Sequence, residues 1–213
     1  MPFDCCRLFP ENVFEFIEQN ALSMSSCVGY FVPCFLSTTA FVMGLNSLIS
    51  NEGRCFPCTL YVMVIGPPTT GKSQAMKNCA VDHVITLRDN CEIGNFLIER
   101  CTSSGLVKTL AEQKKTIVVS PEVFDVLNKI LKNDEENGCG EVQMLYELFS
   151  GERTSYRLAS ESTREIPANI PFVILGTTQI PFAAQVISRL DQGHGLLERF
   201  LFFVPCCLIP SLR

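Results

Sequence analysis

The sequence predicts a three-layer α/β fold, with a central parallel sheet between helices. Three observations predict it. First, Leu60–Ile65 (LYVMVI), the start of Thr116–Glu122 (TIVVSPE) and Ile170–Gly176 (IPFVILG) are apolar runs of strand length without interior charge. Such runs suit strands buried on both faces, as in a parallel sheet. Second, segments with helical apolar spacing lie between them. Third, a glycine-containing loop follows the first run and leads straight into a helical pattern.

The chain opens with a helical prefix. Phe9-Pro10-Glu11-Asn12 begins a helix, with Asn12 as the expected cap and Val13, Phe14, Phe16 and Ile17 as its apolar face. A second helical stretch after Asn20 is expected to break near Pro33, and a third to run from Ser37 to Ile49. Asn51 to Arg54 reads as a turn. Ala21 to Asn51 carries no charged residue, and Cys27–Leu48 is long enough to span a bilayer. Pro33, Asn46, many Ser and Thr and the lack of a flanking basic cluster favour core helices and no membrane contact instead. The expected division is therefore a helical prefix over residues 1–58 and a core over 59–213.

Gly66-Pro67-Pro68-Thr69-Thr70-Gly71-Lys72-Ser73 matches G-x-x-x-x-G-K-[ST] at every fixed position. The strand before it and the helix after it, from Lys72 through Gln74, supply the context that gives this pattern meaning as a phosphate loop. Backbone N–H groups from Thr69 to Ser73 are expected to converge on one anion at the positive end of a helix. Gly66 and Gly71 permit angles and close approaches that a Cβ obstructs. Lys72 is expected to reach the β- and γ-phosphates, and the Ser73 hydroxyl to ligate Mg²⁺. Pro67 and Pro68 shape the loop without donating. The competing reading is a chance match on an ordinary turn.

The helix from Lys72 is expected to end between Val81 and Val84, with Arg88-Asp89-Asn90 as a connection and Phe96–Cys101 as a strand. A helix from Thr102 follows. In TIVVSPE, a buried strand ends in a carboxylate. P-loop ATPases carry an Asp for Mg²⁺ at such a place, and a Glu that polarises water after it. Ser120 and Pro121 stand where the Asp is expected, Glu122 falls where the catalytic Glu would, and Asp125 reads either as a substitute or as a first-turn acid. Residues 132–138 read as a solvated acidic loop, and Glu141–Ser150 as a helix. An inserted hairpin carrying Arg153, Arg157 and Arg164 follows, a candidate contact for single-stranded DNA or an ordinary surface. Thr177-Thr178-Gln179 is a polar strand tip at the carboxyl edge, where open parallel sheets bind ligands. Phe182–Leu190 reads as a helix, His194 as a loop residue and Leu201–Val204 as a last strand.

Composition narrows the class. Of 213 residues, 47% are hydrophobic and 18% charged, which is globular and not disordered. A net charge of −5 argues against coating nucleic acid by charge alone. The 12 cysteines follow a start, Met1 to Cys6, that lacks a basic segment and an apolar core, so reduced, buried thiols in an intracellular compartment (cytoplasm or nucleus) are expected. Cys55 and Cys58 form a C-x-x-C with no second pair at zinc-finger spacing.

Together these landmarks resemble the AAA+-type P-loop ATPases, and within them the uncharacterised primase- and helicase-like ATPases of phages and mobile elements. The helical prefix, the loop Gly66–Ser73, the tip Leu175-Gly176-Thr177-Thr178-Gln179-Ile180-Pro181 and Gly195-Leu196-Leu197-Glu198-Arg199-Phe200 carry the likeness, which runs from about Phe9 to Pro205. It implies an ATP- and Mg²⁺-dependent ATPase of DNA processing that assembles as a ring or filament. It also implies that Arg199 of one subunit acts on the γ-phosphate held by the next, and that Gln179, or Thr178 beside it, orients the water. The sequence departs from the pattern in the missing Asp, in Thr69 where Gly is common, and in the lack of a lid after Val204. A nucleotide-binding interaction module with little turnover is the alternative.

Overall fold

The computed structural model describes residues 5–44, 48–49, 53, 55–91, 94, 96–100, 102–113, 115–123, 125–130, 140–156, 163–190 and 195–205. Arg157, His194, the loop at 132–138 and most of the turn at 51–54 lie outside the described residues.

Helix α1 (Glu11–Ser23) starts one residue before the expected cap, with Pro10 at the N-cap and no side-chain cap bond. The Pro10 carbonyl instead accepts from Val13 N and Phe14 N, each at 3.0 Å. The helix ends in a Schellman turn. Ser25 takes φ +50°, its N–H donates to Leu22 O, and Ser26 N–H donates to Ala21 O. Helix α2 (Val28–Met43) then runs through Pro33 without a break. The expected break at Pro33 is thus corrected to the corner at Ser25. Proline costs α2 one backbone bond, to Gly29, but the helix buries Tyr30, Phe31, Val32, Cys34 and Phe41 in full. That burial outweighs the local rule. The expected third helix is also corrected at its end: Leu48–Ile49 (β1) pairs antiparallel with Cys55–Phe56 (β2).

Strand β3 (Leu60–Ile65) leads through the loop into α3 (Lys72–Met76), a π-turn (Lys77–Val81) and α4 (Asp82–Cys91). The helical path therefore continues beyond Val84. Asp89 and Asn90 are exposed on it, so the polar run read as a connection is a solvent face. There follow β4 (Leu97–Ile98), α5 (Ser103–Glu112) and β5 (Thr116–Ser120), then a helical segment at 125–130 (α6). Helix α7 (Glu141–Ser150), the antiparallel hairpin β6 (Thr154–Tyr156) and β7 (Arg164–Ile166), β8 (Phe172–Thr178), α8 (Ile180–Leu190) and β9 (Phe200–Phe203) complete the order.

The five-stranded sheet has the order β4-β5-β8-β3-β9, and its pairs are parallel. Every residue of β5 and β8 is buried. Alternate side chains serve two cores. Tyr61, Met63, Phe172 and Ile174 pack with Leu110, Leu127 and Leu145 on one face. Val62, Val64, Val173 and Leu175 pack with Ile17, Phe31, Phe41, Ala75 and Ala80 on the other. The prefix helices α1 and α2 thus share a face of the sheet with α3 and α4. Among the described residues no helix is long and apolar enough to cross a membrane. Cys6, Cys27, Cys34, Cys58 and Cys79 are free thiols. Burial raises Cys34, and raises Cys79 to about 12, so both stay protonated and unreactive at neutral pH.

Candidate functional site

The carboxyl ends of β3, β5 and β8 lie side by side, because the three strands are parallel and in register: Ile65 pairs with Thr178 and Ser120 with Gly176. The loop from Gly66 leaves this edge next to the β8 tip, and Gly66 N–H donates to Thr178 O at 3.3 Å.

Within the loop, Gly71 is left-handed at φ +87°. Lys72 is buried, and its ammonium donates to the carbonyl oxygens of Gly66, at 2.9 Å, and of Pro67. The lysine therefore stitches the first turn of α3 back onto the start of the loop. Ser73 and Gln74 follow on that turn and are exposed. First-turn N–H groups have no acceptor within the helix, so an anion there meets both those donors and the positive end of the helix dipole. Thr69 is left-handed at φ +61°, which is costly for a β-branched residue. Thr69→Gly is expected to raise stability by about 0.5–1 kcal/mol, the released strain exceeding the entropy of the added glycine. A higher urea midpoint at unchanged slope checks this.

Two prefix side chains close on the loop, and sequence reasoning missed both. Thr70 Oγ1 lies 2.9 Å from the fully buried Tyr30 hydroxyl and 2.8 Å from Pro67 O. A hydroxyl has one proton, so Thr70 donates to the Tyr30 hydroxyl or to Pro67 O, one at a time. Ser26 Oγ lies 3.4 Å from Gly71 O. Tyr30 and Thr70 are 40 residues apart. Nothing in the sequence set Tyr30 apart from the other hydroxyl-bearing residues of α2, Ser37, Thr38 and Thr39.

The other expected site residues fall into two groups. Glu122 and Gln179 are at the loop's edge of the sheet. Glu122 is exposed, just past β5. With β8 between β5 and β3, it stands about 10 Å across the sheet from the loop strand, at ~4.8 Å per strand. Its turn is held by Thr177 Oγ1, which donates to Pro121 O at 2.7 Å, and by Asp125 N–H, which donates to Glu122 O. Gln179 is half-buried, whereas the neighbouring Thr178 is 1% exposed with Oγ1 unbonded. Of these two, Gln179 is the one open to solvent.

Arg199 is at the opposite edge. Phe200 pairs with Tyr61, so Arg199 is level with the start of β3 and about 20 Å from its own loop, at ~3.3 Å per residue. Its guanidinium lies 4.4 Å from the Tyr146 ring centroid and donates to Gly195 O at 2.8 Å. The two described hairpin arginines are close to acids: Arg153 bonds Glu165 at 2.6 Å, and Arg164 is 3.9 Å from Glu112. Among the described residues, no group of three His, Cys, Asp or Glu side chains is placed to hold a metal.

No protein-family model matches the chain, and no curated protein matches it. Among solved structures, the A form apo structure of the NrS-1 C-terminal region superposes with a TM-score of 0.41 at 14% identity, covering 89% of this chain and 37% of that one. The chain thus spans little more than a third of that protein chain's length. At that level the likeness bears on neither activity nor partners.

Proposed function

We propose that the chain is an AAA+-type P-loop nucleoside triphosphatase acting on ATP in DNA processing. The observation that carries the reading is the loop Gly66–Ser73 itself. It joins a buried parallel strand to a helix at the carboxyl edge of the sheet, with a left-handed Gly71 and an inward Lys72. In this reading the amides of Thr69 to Gln74 and the Lys72 ammonium hold the phosphates. Ser73 offers an exposed hard oxygen that suits Mg²⁺, an ion that neutralises phosphate charge when bound. Glu122 orients or deprotonates the attacking water, and Gln179 assists from the adjacent tip.

Arg199 is too far from its own loop to act there, so its proposed role is in a neighbour's site within a ring or filament. Leaving the Tyr146 ring would free it for that role. Contact with single-stranded DNA through Arg153, Arg157 and Arg164 belongs to the same proposal, as does a reducing intracellular setting.

The test separates binding from chemistry. Glu122→Gln is expected to keep Mg·ATP affinity within about twofold and to lose turnover by a hundredfold or more, the scale of a general base. Equal phosphate release by the two proteins would remove Glu122 from the mechanism. A second reading, a nucleotide-binding interaction module with little turnover, is favoured by Ser120, which occupies the end of β5 in place of an acid.

A further inference from the structure

Both fixed glycines of the loop are closed in by side chains from the α1–α2 corner, and this rests on the phosphate-loop reading above. A Cβ on Gly66 would lie 2.2 Å from the Tyr30 hydroxyl oxygen, and one on Gly71 would lie 2.5 Å from Ser26 Oγ. Ser26 and Tyr30 flank the start of α2, one residue before its N-cap and two residues into the helix. The Schellman turn at Ser25 aims this corner at the loop. Behind it, α2 is fixed to β3 and β8 through the core that holds Phe31, Val62, Val64 and Leu175. Tyr30 is fully buried, so its hydroxyl requires a partner, and Thr70 in the middle of the loop supplies one.

From this we infer that Tyr30, with Ser26, is a positioning residue for phosphate binding: the prefix helices hold the loop main chain in the path on which its amides converge. Glycine makes the loop able to approach a phosphate but also makes it conformationally costly to order. A two-point clamp, buried at Tyr30 and half-exposed at Ser26, meets that cost before the ligand arrives, which raises affinity without touching the ligand. The helices α1 and α2 are then a structural part of the nucleotide site and not an appendage to it.

The experiment is calorimetric titration of the full chain with Mg·ATP. Tyr30→Phe keeps the ring and removes the bond to Thr70, and Kd should rise three- to tenfold. Ser26→Leu, at a half-exposed position, should press on Gly71 and raise Kd as well. Tyr61→Phe is the control: that hydroxyl bonds Leu145 O on the other face of the sheet, so the variant should lower Tm and leave Kd within twofold. Wild-type affinity in both Tyr30→Phe and Ser26→Leu, with binding lost in Lys72→Ala, would overturn the clamp and leave the phosphate reading standing. No binding by the wild type would overturn both. An affinity loss in Tyr61→Phe equal to that in Tyr30→Phe would also overturn the clamp, as general destabilisation would then explain it.

Discussion

Lys72→Ala is expected to weaken Mg·ATP binding at least a hundredfold and to abolish turnover. Removing a charged hydrogen-bond donor from phosphates costs about 3 kcal/mol, which is that factor in affinity. The lysine also has a structural share, because its ammonium satisfies the carbonyls of Gly66 and Pro67. Lys72→Met keeps an apolar stem in the buried position and removes the ammonium, with its charge and its bonds to Gly66 O and Pro67 O, so a similar loss in both variants traces to the ammonium and not to the stem. Calorimetry with thermal melts of the same samples checks this. Near-native affinity in a folded Lys72→Met protein would remove the lysine from the site.

Gly176→Ala is expected to destabilise the fold by about 3 kcal/mol, at the upper end for overpacking, and to lower Tm by roughly 6–12 °C for a chain of this size. A Cβ on Gly176 would lie 2.1 Å from Val123 Cβ. Both residues are buried, Gly176 in a central strand between β3 and β5 and Val123 directly after the turn at Pro121 and Glu122. The added methyl must push that turn off the sheet, moving Glu122 with it. Turnover should therefore fall more than Mg·ATP affinity. Adding Val123→Gly opens the space and should recover part of the loss, as a positive coupling in a double-mutant cycle. Additive losses would show that the two positions do not touch.

What was legible in the sequence was whatever a short window determines. β3, β5 and β8 could be read because strands buried on both faces need apolar residues at every position, and LYVMVI, TIVV and FVIL have them. The loop could be read because its glycines, lysine and serine stand in one fixed spacing. Short strands such as Leu97–Ile98 owe their state to a neighbour's register more than to their own residues. Pro33 misled because a local cost was set against tertiary burial that a window does not display. Arg88-Asp89-Asn90 misled because the solvent face of a helix and a loop have the same composition. The clamp of Ser26 and Tyr30 was not legible at all. It joins positions 40 and 45 residues apart through two hydroxyls, and nothing in either segment announces the other. Arg199 was legible as a type and not as a placement: only the pairing of β9 beside β3 puts it at the amino edge, against Tyr146.

The most direct measurement is phosphate release from Mg·ATP by the purified chain over a wide range of protein concentration, with and without single-stranded DNA, beside Lys72→Ala. The account predicts release that depends on Lys72 and rises more steeply than linearly with concentration, since Arg199 can serve only a neighbouring loop. Mg·ATP bound through Lys72 without phosphate release at any concentration would contradict it.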